Sequence, residues 1–253
     1  MHGLAGKRVV VTGGGSGIGR EVCKRFGEEG SDVAVFDMNP AGAAETVRLI
    51  VEAGGKATAY TVDITDRAAV DAAVAAVEAG GPIDVLVNNA GWDEARPFLD
   101  TDIPLWDKVI AINLYGPLHM HHAILPGMVR NGGGRVVNIS SDAGRVGSSG
   151  EAVYAACKGG LISFSKTVAR ELARKGVQVN VVCPGPTDTP LFADFAKGEG
   201  GDKITEGLKR AIPMRRLAVP TDYPGIVCFL SSDDAGFITG QTISVSGGLT
   251  MHG

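Results

Sequence analysis

Tyr154 stands four residues before Lys158 in the stretch VYAACK. On a helix, positions four apart share a face, so an ammonium would lie beside a phenol. A free tyrosine titrates near pH ~10 and is a poor base at neutral pH. A neighbouring cation favours the phenolate and lowers that pKa. Lowering it by ~3 units takes roughly 4 kcal/mol of differential stabilisation. Such a tyrosine could exchange a proton with a hydroxyl group at working pH. The same spacing also describes a buried Tyr and a solvated Lys, so the surrounding chain must decide.

A second stretch with chemical potential is TGGGSGIGR, which follows an apolar run and opens a helical pattern. It reads Gly13-x-x-x-Gly17-x-Gly19. Ser16 and Ile18 occupy the intervening positions. Such a loop turns tightly, lets backbone approach a pyrophosphate, and aims a helix N-terminus at it. Asp37 lies 18 residues after Gly19, at the end of the next apolar run. A carboxylate there suits the ribose hydroxyls of NAD and repels a 2′-phosphate. Its neighbours Phe36, Met38 and Asn39 offer no cation. Asp37 could alternatively cap the following helix. Asp63 ends the third apolar run, where it could meet an adenine or cap a helix; Ile64 follows it.

The chain has 253 residues and a formal charge of -4. It is long enough to bury a substantial core. No basic run suggests nucleic acid, and no apolar run reaches the ~18 residues of a transmembrane helix. The opening MHGLAGKRVVVTGG lacks the apolar core and cleavage site of a signal peptide, which predicts a cytosolic protein. Cys23, Cys157, Cys183 and Cys228 are scattered and form no CxxC pair, so buried thiols are expected. His119, His121 and His122 lack the i, i+4 spacing of a helical zinc site, and no metal is expected.

Short β-branched runs alternate with longer helical patterns. KRVVVTG, DVAVFD, TAYTVD, IDVLVNN, GRVVNIS, VQVNVVCPG and TISVSGG read as seven strands. Helices are expected at about 16–29, from Pro40 to Gly54, and at about 66–79, 102–131, 152–175 and 220–231. Apolar strands separated by helices predict a parallel sheet covered on both faces. The expectation is an α/β chain forming one doubly wound Rossmann domain over residues 1–253, with a seven-stranded parallel sheet. Ligands of such sheets bind beyond the strands' carboxyl ends. The glycine and polar clusters TGGGSGIG, FDMN, VDIT, NNAG, NISS and CPGPTDT all follow strands.

Together these residues resemble the short-chain dehydrogenase/reductase family over essentially the whole chain. TGGGSGIG matches its glycine motif, and Asn88 to Gly91 match its NNAG motif. Ser141 lies 13 and Asn113 lies 41 residues before Tyr154, as the family's pattern requires. The resemblance implies a catalytic set of Asn113, Ser141, Tyr154 and Lys158. Tyr154 would be the general acid/base, Ser141 would bond the substrate oxygen, and Asn113 would hold a water joined to Lys158. Lys158 would lower the tyrosine pKa and hold the nicotinamide ribose. The resemblance also assigns Asn89, Ala90, Gly91, Pro184, Gly185, Thr187 and Thr189 to the cofactor. It places a substrate lid at about 188–212, which includes the polar stretch FAKGEGGDK. It implies a homotetramer built through helices near 102–131 and 152–175 and the last strand. The terminal LTMHG would reach a neighbouring active site.

Several segments, among them GRVGSSGEAVYAACKGG and VVCPGPTDTP, are similar to family members that oxidise β-hydroxyacyl-CoA thioesters such as 2-hydroxycyclohexanecarboxyl-CoA. A small-molecule substrate, by that resemblance a CoA thioester, is therefore expected. Trp92, Asp93, Arg145, Ser148 and Glu151 are the candidate pocket residues; Arg145 could pair with a CoA phosphate or with Asp142 or Glu151. Three alternatives stand beside this reading. They are a 3-oxoacyl-[acyl-carrier-protein] reductase, a dehydrogenase of sugars, polyols or simple secondary alcohols, and a non-catalytic NAD-binding protein.

Overall fold

The computed structural model describes residues 1–189, 192 and 201–251. The β-branched runs form β1 (Arg8–Thr12), β2 (Asp32–Asp37), β3 (Lys56–Thr61), β4 (Val85–Asn88), β5 (Gly134–Ile139), β6 (Val177–Pro184) and β7 (Thr242–Val245). They make one seven-stranded sheet in the order β3-β2-β1-β4-β5-β6-β7. Every pairing is parallel. The seven-stranded parallel, doubly wound α/β architecture expected from the sequence is the one found.

Side chains alternate across a strand, and β1 shows the consequence. Val9 and Val11 join one core cluster with Val22 and Phe26 of α1 (Gly17–Glu28). Val10 joins the opposite cluster with Val70 and Val74 of α3 (Arg67–Glu78). Both faces of the strand are therefore buried, which is why its run is continuously apolar. α2 (Pro40–Glu52) starts on the Asn39 cap, whose side chain accepts from the amides of Ala41 and Gly42. α7 (Ala152–Leu172) is the long helix that carries Tyr154 and Lys158.

Two expectations shift. The third strand spans Lys56–Thr61 rather than 58–63. Val62 and Ile64 are buried by the connection that follows the strand, so their apolar character does not mark strand residues. The single helix expected over 102–131 divides into α4 (Ile103–Ile110), a π turn (Ala111–Tyr115) and α5 (Gly116–Arg130). The Asn113 side-chain amide donates to Val109 O at 2.9 Å, taking the acceptor that an α-helical amide at this position would use. Pro117, four residues later, has no N–H to return to the Asn113 carbonyl. Both effects push the ladder out by one residue, and π turns of this kind concentrate at functional sites.

The remaining described helices are α6 (Ala143–Val146), α8 (Gly201–Ala211) and α9 (Pro224–Ser231). Of the expected lid, most of FAKGEGGDK lies outside the described residues, as do His252 and Gly253 of the expected C-terminal reach. Among the described residues, no helix is long and apolar enough to cross a membrane.

Candidate active site

Strand order reverses direction between β1 and β4, and the glycine loop and NNAG meet there. Thr12 stitches them together: its hydroxyl accepts from the amides of Asn89 at 3.0 Å and Ala90 at 3.1 Å. The Asn89 side chain donates back to the carbonyls of Thr12 and Gly13. Gly13 and Gly17 hold φ of 65° and 51°, a region that favours glycine. At Gly19 a Cβ would fall 2.1 Å from Gly13 O and 2.5 Å from Asn89 Nδ2. The loop is thus compact enough for only backbone to occupy it. Ser16 is the exposed N-cap of α1, with its hydroxyl making no capping bond. Ile18 packs against the core cluster on its own side of the sheet.

Asp37 accepts from Gly15 N on Oδ2 and from Asn39 N on Oδ1, both at 2.8 Å. The helix cap is Asn39, so Asp37 holds the loop and the strand end rather than α2. Arg20 is directed at Gly15 O and Thr46, beneath the loop. Asp63 closes a turn on the amide and hydroxyl of Thr65, and the cap of α3 is Asp66. Ile64 is buried and lies against Gly116. The helix-cap alternative is thereby removed for both acids. Gly185 lies against Ser246, where a Cβ would come within 2.8 Å. Pro184 O accepts from Asp142 N, and Thr187 Oγ1 meets the buried Tyr223 hydroxyl at 2.5 Å. Thr189 faces Gly17 across the loop: a Cβ added at Gly17 would lie 3.7 Å from its methyl. This cradle fits a dinucleotide, with backbone at the loop, a carboxylate at the β2 end and hydroxyls at the β6 end.

Next to the cradle, Asn113, Ser141, Tyr154 and Lys158 converge. Gly91 spaces two of them: a Cβ there would lie 3.0 Å from Asn113 Oδ1 and 3.4 Å from Lys158 Nζ. Asn113 is buried, and its side-chain amide also donates to Trp92 O at 2.6 Å. Ser141 lies near enough to the Tyr154 phenol to lower its pKa, and its hydroxyl accepts from Ala143 N at 3.1 Å. Ser140 points elsewhere, donating to Lys158 O at 2.9 Å. Lys158 is 2% exposed and donates to Ile139 O at 3.1 Å. Its Nζ sits 5.4 Å from the Tyr154 ring centre.

The expected lowering of the Tyr154 pKa does not hold in this arrangement. Burial pushes the phenol up, the Glu151 charge adds to it, and the Ser141 hydroxyl pulls the other way. Lys158 is itself desolvated, which brings its pKa down to about 8. Its ammonium is turned to a carbonyl rather than to the phenolic oxygen. Burial thus favours the phenol over the phenolate at Tyr154.

A cleft opens from Tyr154, with Asp93, Phe98, Leu105, Trp106, Val109 and Glu151 among its lining residues. Phe98 and Trp106 stack at 5.6 Å, nearly parallel, and Trp106 Nε1 donates to Thr101 at 2.7 Å. Arg96 N donates to Gly150 O at 2.9 Å, tying the loop after NNAG to the loop before α7. That tie brings Asp93 beside Glu151. Glu151 N donates to Ser148 O at 3.2 Å, and the Glu151 charge raises the Asp93 pKa. Three expected pocket residues lie elsewhere, of which Ser148 is exposed in the loop before α7. Trp92 turns its ring under Lys108 Nζ, 3.5 Å from the ring centre. Arg145 donates to Ser244 at 2.9 Å and pairs with neither Glu151 nor the cleft. Asp142, one of the partners considered for it, is bonded to the same Ser244 hydroxyl. The Phe98–Trp106 wall was not anticipated: Phe98 lies in a short turn and Trp106 on α4, and only the tertiary structure sets the two beside Tyr154.

A sequence model described as enoyl-(acyl carrier protein) reductase matches residues 13–250. The (3R)-3-hydroxyacyl-CoA dehydrogenase of Homo sapiens is 40% identical, over 96% of this chain and 95% of its own. The chain belongs to the short-chain dehydrogenase/reductase family. The short-chain reductase NovJ of Streptomyces niveus is 38% identical, over 94% of this chain and 92% of its own. The solved structure of levodione reductase superposes with a TM-score of 0.94 at 30% identity, over 96% of this chain and 97% of that one. As a short-chain dehydrogenase/reductase, the protein is an enzyme acting on hydroxyl groups, and its family works with nicotinamide cofactors.

Proposed function

We propose that this short-chain dehydrogenase/reductase uses NAD to interconvert a secondary alcohol and a ketone, with a β-hydroxyacyl-CoA as substrate. The observation that carries the reaction class is the Tyr154 phenol lining a cleft, with Ser141 beside it and Lys158 Nζ 5.4 Å from its ring centre. In oxidation, Ser141 and Tyr154 hold the carbinol oxygen, and Tyr154 takes its proton as the phenolate, the form that a positive charge in the pocket would favour. When bound, the oxidised nicotinamide accepts the hydride and brings a positive charge to the pocket. Lys158 and Asn113 hold the ribose side of the site and a path for the proton. Asp37, with both oxygens fixed by backbone amides, supports NAD over NADP.

The thioester reading is supported by the 40% identity to a hydroxyacyl-CoA dehydrogenase. The cleft adds a stacked aromatic wall suited to the apolar part of an acyl chain or ring. The chain acts as one domain, with residues 188–212 as its lid, in the cytosol and as a homotetramer. Tyr115 at 56% and Phe237 at 105% exposure, in the π turn and ahead of β7, support those faces as subunit contacts. The test is NADH formation with 2-hydroxycyclohexanecarboxyl-CoA, with the free hydroxy acid and NADP as controls. Turnover with the thioester and NAD, falling at least ~100-fold in Tyr154→Phe, is expected. Turnover surviving in Tyr154→Phe overturns the assigned role.

A further inference from the structure

Ser141 leads into one short turn, α6 (Ala143–Val146), and a turn of that length does not hold itself. It is held from two sides. Against α7, Gly144 lies on the backbone of the catalytic helix: a Cβ there would fall 2.8 Å from Lys158 Cβ and 2.7 Å from Gly159 N. Toward the sheet, Asp142 N donates to Pro184 O at 2.9 Å, at the end of β6. The Asp142 side chain continues that way. It is 5% exposed, and its Oδ1 accepts from the Ser244 hydroxyl of β7. The same hydroxyl accepts from Arg145 Nη1 at 2.9 Å. A hydroxyl has one proton to give and lone pairs to receive another, so Ser244 joins the carboxylate to the guanidinium.

A buried carboxylate is costly, and the other Asp142 oxygen, Oδ2, is buried without a protein partner. An apolar side chain at this place would cost the fold less, so what the charged pair adds is geometry rather than stability. The geometry concerns Ser141. Ala143 N, the first amide of the turn, donates to Ser141 Oγ at 3.1 Å. With a lone pair taken in this way, the hydroxyl keeps its proton for a substrate oxygen.

We propose that Asp142, Ser244 and Arg145 are positioning residues for Ser141. Together they clasp the turn to β7, and the turn sets the Ser141 hydroxyl relative to Tyr154 and Lys158. None of the three lines the cleft. The clasp refers Ser141 to the strand ends that also seat the cofactor, where Gly185 N donates to Val245 O at 3.1 Å. Arg145 thereby has a task other than the phosphate pairing expected for it. The inference rests on the role given to Ser141 above and names what holds that serine in place.

The experiment is a double-mutant cycle on kcat/KM, with NAD and the better of 2-hydroxycyclohexanecarboxyl-CoA and cyclohexanol. Ser244→Ala, Arg145→Met and Asp142→Asn are each made in the wild-type and in the Ser141→Ala background. Thermal unfolding shows which variants are folded; should Asp142→Asn not fold, Ser244→Ala carries the cycle. In the wild-type background kcat/KM should fall roughly 10- to 100-fold, the scale of a displacement of up to about 1 Å. In the Ser141→Ala background the same substitutions should change it by less than about twofold, because the group they position is gone. Ser244→Thr keeps the hydroxyl and should restore most of the activity. A loss of equal size in both backgrounds makes the clasp merely structural and overturns the inference. So does wild-type kcat/KM in all three single variants while Ser141→Ala is impaired. Full turnover in Ser141→Ala removes the role assigned to Ser141, and this inference with it.

Discussion

Replacing Asp37 with Asn removes one negative charge from the end of β2 while keeping the side-chain shape. Both carboxylate oxygens are in use, one on Gly15 N and one on Asn39 N, each at 2.8 Å. An amide can accept through only one of its two positions. The variant therefore forfeits one charge-assisted bond, worth about 1.5–3 kcal/mol, and some of that will appear as lower stability. The charge itself acts on cofactor choice. Two anions about 5 Å apart, at an effective dielectric of about 20–40, repel by about 2–3 kcal/mol per unit charge. That converts to roughly 30- to 150-fold discrimination against a 2′-phosphate. The assay is kcat/KM for NAD and for NADP in wild type and Asp37→Asn, with thermal unfolding as the control for loop damage. The NAD/NADP ratio should fall by that factor, mostly through improved use of NADP. An unchanged ratio in a folded variant would refute the charge argument.

Two other outcomes test the framework around the site. His121 is buried, donates from Nδ1 to Pro117 O at 2.6 Å and takes Asn138 on Nε2 at 3.2 Å. Burial brings its pKa from 6.5 down to about 4, so the folded state holds it neutral. Its contribution is fully present above pH 6.5 and is lost as pH falls toward 4, because the unfolded chain then binds the extra proton. The loss is about 3 kcal/mol, visible in urea unfolding across that window, and His121→Gln should remove this part of the slope. Gly19→Ala would place a methyl 2.1 Å from Gly13 O and 2.5 Å from Asn89 Nδ2. It should cost about 1–3 kcal/mol in thermal or urea unfolding and weaken NAD binding by at least about tenfold. Wild-type stability and binding would show that the loop is less tightly packed than its contacts imply.

Much of this protein is legible in one dimension because its signals are local or strictly periodic. The apolar runs of the inner strands carry two buried faces, so they mark the sheet without any knowledge of pairing. The glycine spacing and the Tyr154/Lys158 pair each lie within a single turn of chain. The π turn at Asn113 also had a local mark in Pro117, which denies Asn113 its ordinary helical partner. The third strand was misplaced by two residues because buried apolar side chains in a connection look the same as those in a strand. What the sequence determined, then, was the order of elements and the residues arriving at the strands' carboxyl ends. Only the tertiary structure decided which of them meet. It turned Arg145 to Ser244 and Trp92 to Lys108, although both lie beside expected site residues. It set Asp93 against Glu151 through the backbone bond from Arg96 to Gly150. And it raised the Tyr154 pKa, because desolvation and the neighbouring carboxyls depend on distances and burial that spacing along a helix does not contain.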